Sequence, residues 1–197
     1  MFTGIIETVG SIISIDNHGD DKSITISAAG MNLADLKTGD SIAVNGICLT
    51  ITELNGDQFS VDISAETLSC TTLNTVNPGS KVNLEKALRL SDRLHGHLVS
   101  GHVDVVGMIM ERTNDARSER FRIEYPVSVQ RYISKKGSVC VDGVSLTINE
   151  KQHTSFVVNI IPHTMQNTIF VDYQPGTKVN IEVDIIARYL ESLFIPT

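Results

Sequence analysis

Val44-Asn45-Gly46-Ile47-Cys48-Leu49-Thr50-Ile51 returns as Val141-Asp142-Gly143-Val144-Ser145-Leu146-Thr147-Ile148, every position displaced by 97 residues. Both copies alternate as a strand does, so side chains two apart share a face. Ile47, Leu49 and Ile51 oppose Cys48, Thr50 and Thr52, and Val144, Leu146 and Ile148 oppose Ser145, Thr147 and Asn149. A face carrying Cys-Thr in one copy and Ser-Thr in the other is not a core face. Asn-Gly and Asp-Gly just upstream tolerate the positive φ of a primed hairpin turn, which makes each copy the second arm of a hairpin.

The match spreads outward at the same displacement. Thr3-Gly4 aligns with Ser100-Gly101, Val9-Gly10 with Val106-Gly107, and Pro78-Gly79-Ser80-Lys81-Val82-Asn83-Leu84-Glu85 with Pro175-Gly176-Thr177-Lys178-Val179-Asn180-Ile181-Glu182. A repeat this long is a duplicated domain rather than a solenoid, whose units run to roughly 20–50 residues. The expected division is a first barrel over 1–97, a second over 98–184 and a C-terminal helix over 185–197. Each unit contains about six short strands separated by turn chemistry, so the fold class is all-β, with two six-stranded barrels, closed or nearly closed, since closure removes exposed edges. Short helices are expected over Met31–Leu36, Ala65–Thr72, Ser128–Ile133 and the connector Lys86–Leu94. Ile186, Tyr189, Leu190 and Leu193 fall at i, i+3, i+4 and i+7, which predicts an apolar stripe on a helix from Ile185 to Phe194. That stripe suits docking on its own barrel or self-association.

Composition narrows the function. Sixteen Lys plus Arg against 23 Asp plus Glu give a net charge of −7, with no basic run, so a nucleic-acid partner is not expected. Three cysteines form no C-x-x-C or Cys/His ligand spacing, which argues against structural zinc and suits a reducing compartment. No basic leader and no run of ~18 apolar residues is present, so the chain is expected to be cytoplasmic, without a membrane partner. His97 and His102 have no acidic or Cys cluster beside them, so no metal is expected there. No Gly-rich phosphate loop or dinucleotide fingerprint occurs, and no nucleotide cofactor is expected.

The two copies are unequal where chemistry could sit. His102 stands where the first unit has Ile5, Ser145 where it has Cys48, and Asp142 where it has Asn45. An imidazole can move a proton near neutrality, and a thiol is a stronger nucleophile than a hydroxyl. Two related, unequal sites imply binding two copies of one ligand and making them react with each other.

Met1-Phe2-Thr3-Gly4-Ile5-Ile6-Glu7, the paired hairpin motifs, Glu66-Thr67-Leu68, Gly96-His97-Leu98-Val99-Ser100-Gly101-His102-Val103-Asp104, Ile161-Pro162-His163-Thr164 and Val179-Asn180-Ile181-Glu182-Val183-Asp184 together resemble the riboflavin synthase α-chain family over essentially the whole chain. The resemblance implies Greek-key barrels, a homotrimer assembled by the C-terminal helix, and no metal or cofactor. It implies dismutation of two molecules of 6,7-dimethyl-8-ribityllumazine into riboflavin and 5-amino-6-(D-ribitylamino)uracil, in a site shared between subunits. It leaves association with lumazine synthase open. Carried over, the first lumazine is expected against Gly4, Ile5, Ile6, Cys48, Leu49, Thr50, Asp62, Ile63, Ser64, Ala65, Glu66 and Thr67. The second is expected against Gly101, His102, Val103, Lys136, Ser145, Leu146, Thr147, Ile161, Pro162, His163, Thr164, Met165 and Gln166. His102, with Ser145 and Asp142 as polar neighbours, is expected to transfer the proton; Cys48, Thr50 and Thr147 are the remaining candidates for catalysis. The alternative is a non-catalytic lumazine- or flavin-binding antenna protein of the same fold.

Overall fold

The computed structural model describes residues 1–194; the last three residues of the expected C-terminal segment lie outside it. The first unit contains β1 (Thr8–His18), β2 (Asp21–Ser27), β3 (Ser41–Val44), β4 (Ile47–Asn55), β5 (Gln58–Ile63), α1 (Ala65–Cys70) and β6 (Lys81–Lys86). Its strands close into a barrel in the order β1-β2-β5-β4-β3-β6. That order skips sequence neighbours in the Greek-key manner. Closure follows from alternation: Phe59, Val61 and Ile63 of β5 are buried together with Ile24 and Ile26 of β2 and Ile51 of β4, which face them across the ladders.

The second unit repeats the series as β7 (Val105–Asp115), β8 (Ser118–Glu124), β9 (Ser138–Val141), β10 (Val144–Thr147), β11 (Glu150–Lys151), β12 (Ser155–Ile160), α2 (Pro162–Asn167) and β13 (Lys178–Val183). Its sheet runs β10-β9-β13-β7-β8-β12-β11. The strand begun at Val144 is divided at Ile148-Asn149, where Asn149 N still donates to Val157 O (2.8 Å) and its side chain to Asn159 Oδ1 (2.8 Å). The first barrel already has a register shift between Ile51 and Glu53, and the break is that same bulge carried further.

Two expected helices are absent. Met31–Leu36 is irregular: Met31 and Leu33 are buried with a spacing of two, and Asn32 Oδ1 accepts from Ala34 N (3.0 Å), an Asx turn rather than a helix cap. The connector after β6 is a set of turns, one closed by Arg89 N on Asp92 Oδ2 (2.9 Å) and Asp92 N on Arg89 O (3.0 Å). Ser91-Asp92 favours that local bonding over helix propagation. Residues 127–132 form a 3-10 turn, and α1 is followed by another over 72–75. The C-terminal helix α3 (Ile185–Phe194) has the expected bounds, and none of its residues is buried. Among the described residues no helix is long and apolar enough to cross a membrane.

Candidate functional site: two unlike faces with crossing segments

Both hairpins turn through two residues of positive φ, Asn45 (47°) with Gly46 (74°) and Asp142 (43°) with Gly143 (83°), as a type I′ turn requires. Each turn delivers a strand whose outer face carries the candidate chemistry. Cys48 is half-buried and Thr50 exposed; Ser145 is half-buried and Thr147 exposed. Leu49 and Ile63 point into the first core and Met165 into the second. Leu146 is partly buried against the second core.

In each unit a later strand, β5 or β12, ends in a short helix whose first turn is open to solvent. Asp62, Ser64, Ala65 and Glu66 are exposed and Thr67 is half-buried, with Ser64 Oγ capping Thr67 N at 3.2 Å. Ile161, Pro162, His163 and Gln166 are exposed and Thr164 half-buried on α2. Lys136 is exposed with φ +69°, where the first unit has Gly39 at +92°. A lysine in that region is strained by about 1–2 kcal/mol, and strain of this kind marks function more often than chance. Lys136→Gly is therefore expected to raise thermal stability by up to about 1 kcal/mol and to weaken ligand binding at the second pocket. A lower melting temperature would show that the lysine is not strained.

Each outer face is crossed by a segment that leads into the other barrel. Phe2 and Val99 pair antiparallel, Phe2 N donating to Val99 O (2.7 Å) and Val99 N to Phe2 O (3.1 Å). The extended segments beyond them cross. Gly4 O accepts from Ser145 N (2.7 Å), and Gly101 O accepts from Cys48 N (2.9 Å). Ile6 packs on the second core and Val103 on the first. The backbone thus runs residues 4–6 beside Ser145 and 101–103 beside Cys48, where the repeat alone groups 4–6 with Cys48 and 101–103 with Ser145. Ile5, between two such residues, turns the other way and lines a groove of about 590 Å³ on the first barrel with Thr3, Ser41 and Glu85.

Buried carboxylates fix both crossing segments. Glu85 accepts from Thr3 N (2.7 Å), Thr3 Oγ1 (2.7 Å) and Gly4 N (3.0 Å); Glu182 accepts from Ser100 N (2.6 Å), Ser100 Oγ (2.7 Å) and Gly101 N (2.9 Å). Burial pushes both carboxyls up, and these bonds pull them back.

Ser145 does not pair with His102, as the sequence suggested. Its Oγ lies 2.6 Å from His97 Nδ1. His102 is exposed, its N–H donating to Ser100 Oγ (3.2 Å). His97 is buried and its Nε2 has no partner. Burial pushes this imidazole down from its usual range, against a smaller upward pull from Asp184, so the ring is neutral at neutral pH and able to accept a proton. Asp142 is likewise not beside His102; it is buried between the barrels, bonded to Asn180 and Tyr173. The repeat could not flag His97, because subtracting the displacement puts its counterpart before Met1. The preceding glycine was the available signal: a Cβ on Gly96 would collide with the Thr3 carbonyl and lie 2.9 Å from Ser145 Cβ.

A family model described as the lumazine binding domain matches residues 3–87 and 100–184. Riboflavin synthase of Photobacterium phosphoreum is 47% identical over 195 residues, covering 99% of this chain and 89% of its own. That of Mycobacterium tuberculosis (strain ATCC 25618 / H37Rv) is 46% identical over 197 residues and 98% of each chain. That of Bacillus subtilis (strain 168) is 44% identical over 190 residues, 96% of this chain and 88% of its own. Among solved structures, LumP complexed with riboflavin superposes with a TM-score of 0.86 at 25% identity, covering 93% of this chain and 99% of that one.

Proposed function

The chain belongs to the riboflavin synthase family, carrying its lumazine binding domain twice, and from that membership we propose that it converts two molecules of 6,7-dimethyl-8-ribityllumazine into riboflavin and 5-amino-6-(D-ribitylamino)uracil. A four-carbon unit passes from one lumazine to the other with its hydrogens. The two products account for both substrates, so the step needs no oxidant or reductant.

The observation that carries this reading is the inequality of the two pockets. One is built on Cys48 and Thr50 with 101–103 and 62–67 as walls. The other is built on Ser145 and Thr147 with Gly4, Ile6, Lys136 and 161–166. Only the second has a buried neutral imidazole on its hydroxyl, His97 on Ser145. In this reading a proton leaves the C7 methyl of one lumazine, and the resulting carbanion, delocalised into the ring, attacks the electrophilic C7 of the other. His97, held by Ser145, and exposed His102 are the groups assigned to proton transfer, and Cys48 and Thr50 hold the other molecule. Asp142, buried between the barrels, acts through position rather than contact. Stacking two identical heterocycles supplies much of the rate by orientation, worth up to roughly 7–11 kcal/mol in favourable models.

A homotrimer fits this reading. α3 presents Ile186, Tyr189, Leu190, Leu193 and Phe194 to solvent, each about half exposed or more, and a stripe of that kind calls for a partner. The two pocket-bearing units, 1–97 and 98–184, then meet across subunits. Three free cysteines fit a reducing, cytoplasmic setting.

Mixing the purified protein with the lumazine and following absorbance tests the proposal. Conversion to the riboflavin spectrum with release of the diaminouracil is expected. Stoichiometric binding without conversion would overturn it in favour of an antenna protein.

A further inference from the structure

The barrels meet along a seam that uses the same positions twice. Asn45 N donates to Asn83 O (2.9 Å) and Asn83 N to Asn45 Oδ1 (2.7 Å); Asp142 N and Asn180 O (2.9 Å), and Asn180 N and Asp142 Oδ1 (2.8 Å), repeat both bonds. Across the seam Asn83 Nδ2 donates to Asp142 O (2.8 Å) and Asn180 Nδ2 to Asn45 O (3.0 Å). One bond breaks the symmetry. The buried Tyr173 hydroxyl donates to Asp142 Oδ2, and the first-unit counterpart of Tyr173 is Val76.

A carboxyl in place of an amide is costly in such a place, so what it is attached to matters. Asp142 opens the turn into β10, which has four residues where β4 has nine. Both strands pair with their hairpin partners over four positions, but β4 runs on unbroken into its β5 ladder, whereas β10 stops at Thr147. It is held by the β9 pairing and the bond from Ser145 N to Gly4 O, by the bonds of Ile148 to Gly137 O (3.0 Å) and Lys136 N (2.7 Å) beyond its end, and by the turn at its start.

We propose that the Asp142–Tyr173 pair is a positioning device for the second pocket, clamping the turn so that Ser145 and Thr147 keep their register despite the break after β10. The proposal rests on the two-pocket reading above. Tyr173 and Asp142 touch no reacting atom and act through the strand they hold.

The pair also makes the clamp pH-dependent. Burial pushes Asp142 up to about 7, against bonds from Tyr173 and Asn180 that favour its ionised form. The other titratable groups bearing on the pair are Cys140 on β9, itself pushed far up by burial, and Asp172 beside Tyr173. Asn45, Asn83 and Asn180 are neutral. A folded-state value above the unfolded one means that the contribution is full below about pH 4 and lost as pH rises through about 7.

Tyr173→Phe keeps the ring packed on Phe170, 4.8 Å between centroids, and removes only the donor. Calorimetric titration of the full chain with 6,7-dimethyl-8-ribityllumazine is expected to find one of two sites weakened about five- to tenfold and the other unchanged, with KM raised more than kcat is lowered. Asp142→Asn installs the first unit's own amide and is expected to flatten the pH dependence of the affected site. The double variant should be no worse than the worse single one. Unchanged binding at both sites, or equal weakening of both, would overturn the proposal. If Tyr173→Phe fails to fold, an Asp142→Asn chain with the wild-type pH response overturns it equally. A wild-type chain that binds no lumazine overturns this proposal and the functional reading together; two wild-type sites left intact in Tyr173→Phe overturn this one alone.

Discussion

Gly101→Ala is expected to lose about 3 kcal/mol of stability, a fall in Tm of roughly 6–12 °C for a chain of this size, and to cut turnover by at least about 100-fold. The added Cβ would stand 2.5 Å from Cys48 Cβ and 2.8 Å from Cys48 N, at φ +83°. Those contacts are with a strand, and the Gly101 carbonyl is what Cys48 N donates to. Relief therefore requires the crossing segment to lift off the first pocket, breaking that bond and disturbing the Glu182 bonds to Ser100 N and Gly101 N. Gly79→Ala separates collision from backbone strain, because Gly79 has φ +89° with nothing within 4 Å of its added Cβ. It should cost only the left-handed penalty, about 1–2 kcal/mol, and leave turnover alone. Equal melting temperatures for the two variants would remove the close approach from the account.

Removing the chain beyond Asp184 is expected to leave both barrels folded, convert the protein to monomers in sedimentation, and reduce turnover by about 100-fold or more while lumazine still binds. α3 has no buried residue, and the contacts that hold it to its own barrel are polar: Arg188 to Asp104, and Glu191 to Arg131 and Tyr132. Exposed ion pairs of this sort contribute about 0–1 kcal/mol each, so its loss should barely move the unfolding transition. Catalysis is where it should be felt, if the reacting rings meet only between subunits. A truncated monomer turning over at the full rate would end the shared-site reading.

Much of this molecule was legible before any coordinates. The repeat, the two primed turns, the outward Cys48 and Ser145 and the bounds of α3 follow from alternation, turn chemistry and helical spacing, which are local and strong. The false helices at Met31–Leu36 and in the connector came from short apolar or charged runs that tertiary context overrode, since a single turn is costly to nucleate. The crossing of the two opening segments was illegible for another reason. Matching Gly4 to Gly101 is equally true whether each segment covers its own barrel or its twin's, and only the bonds to Ser145 and Cys48 distinguish the cases. His97 was given no catalytic part because it has no twin to be compared with, its counterpart at the displacement of 97 falling before Met1.

Phe2 lies against Val99, and the residue equivalent to Phe2 in the second unit is Val99 itself. Likewise a Cβ on Gly46 would meet the backbone of its own counterpart, Gly143, at 2.6 Å. Positions that touch their own duplicates lie on a symmetry axis, as in an isologous dimer. The linear chain is thus a tethered pair, and the single-unit ancestor implied by the duplication would have needed a second molecule to finish each pocket. Fusion freed the two halves to diverge: once joined, one could keep a thiol and the other acquire a hydroxyl with its histidine, which two identical partners cannot do.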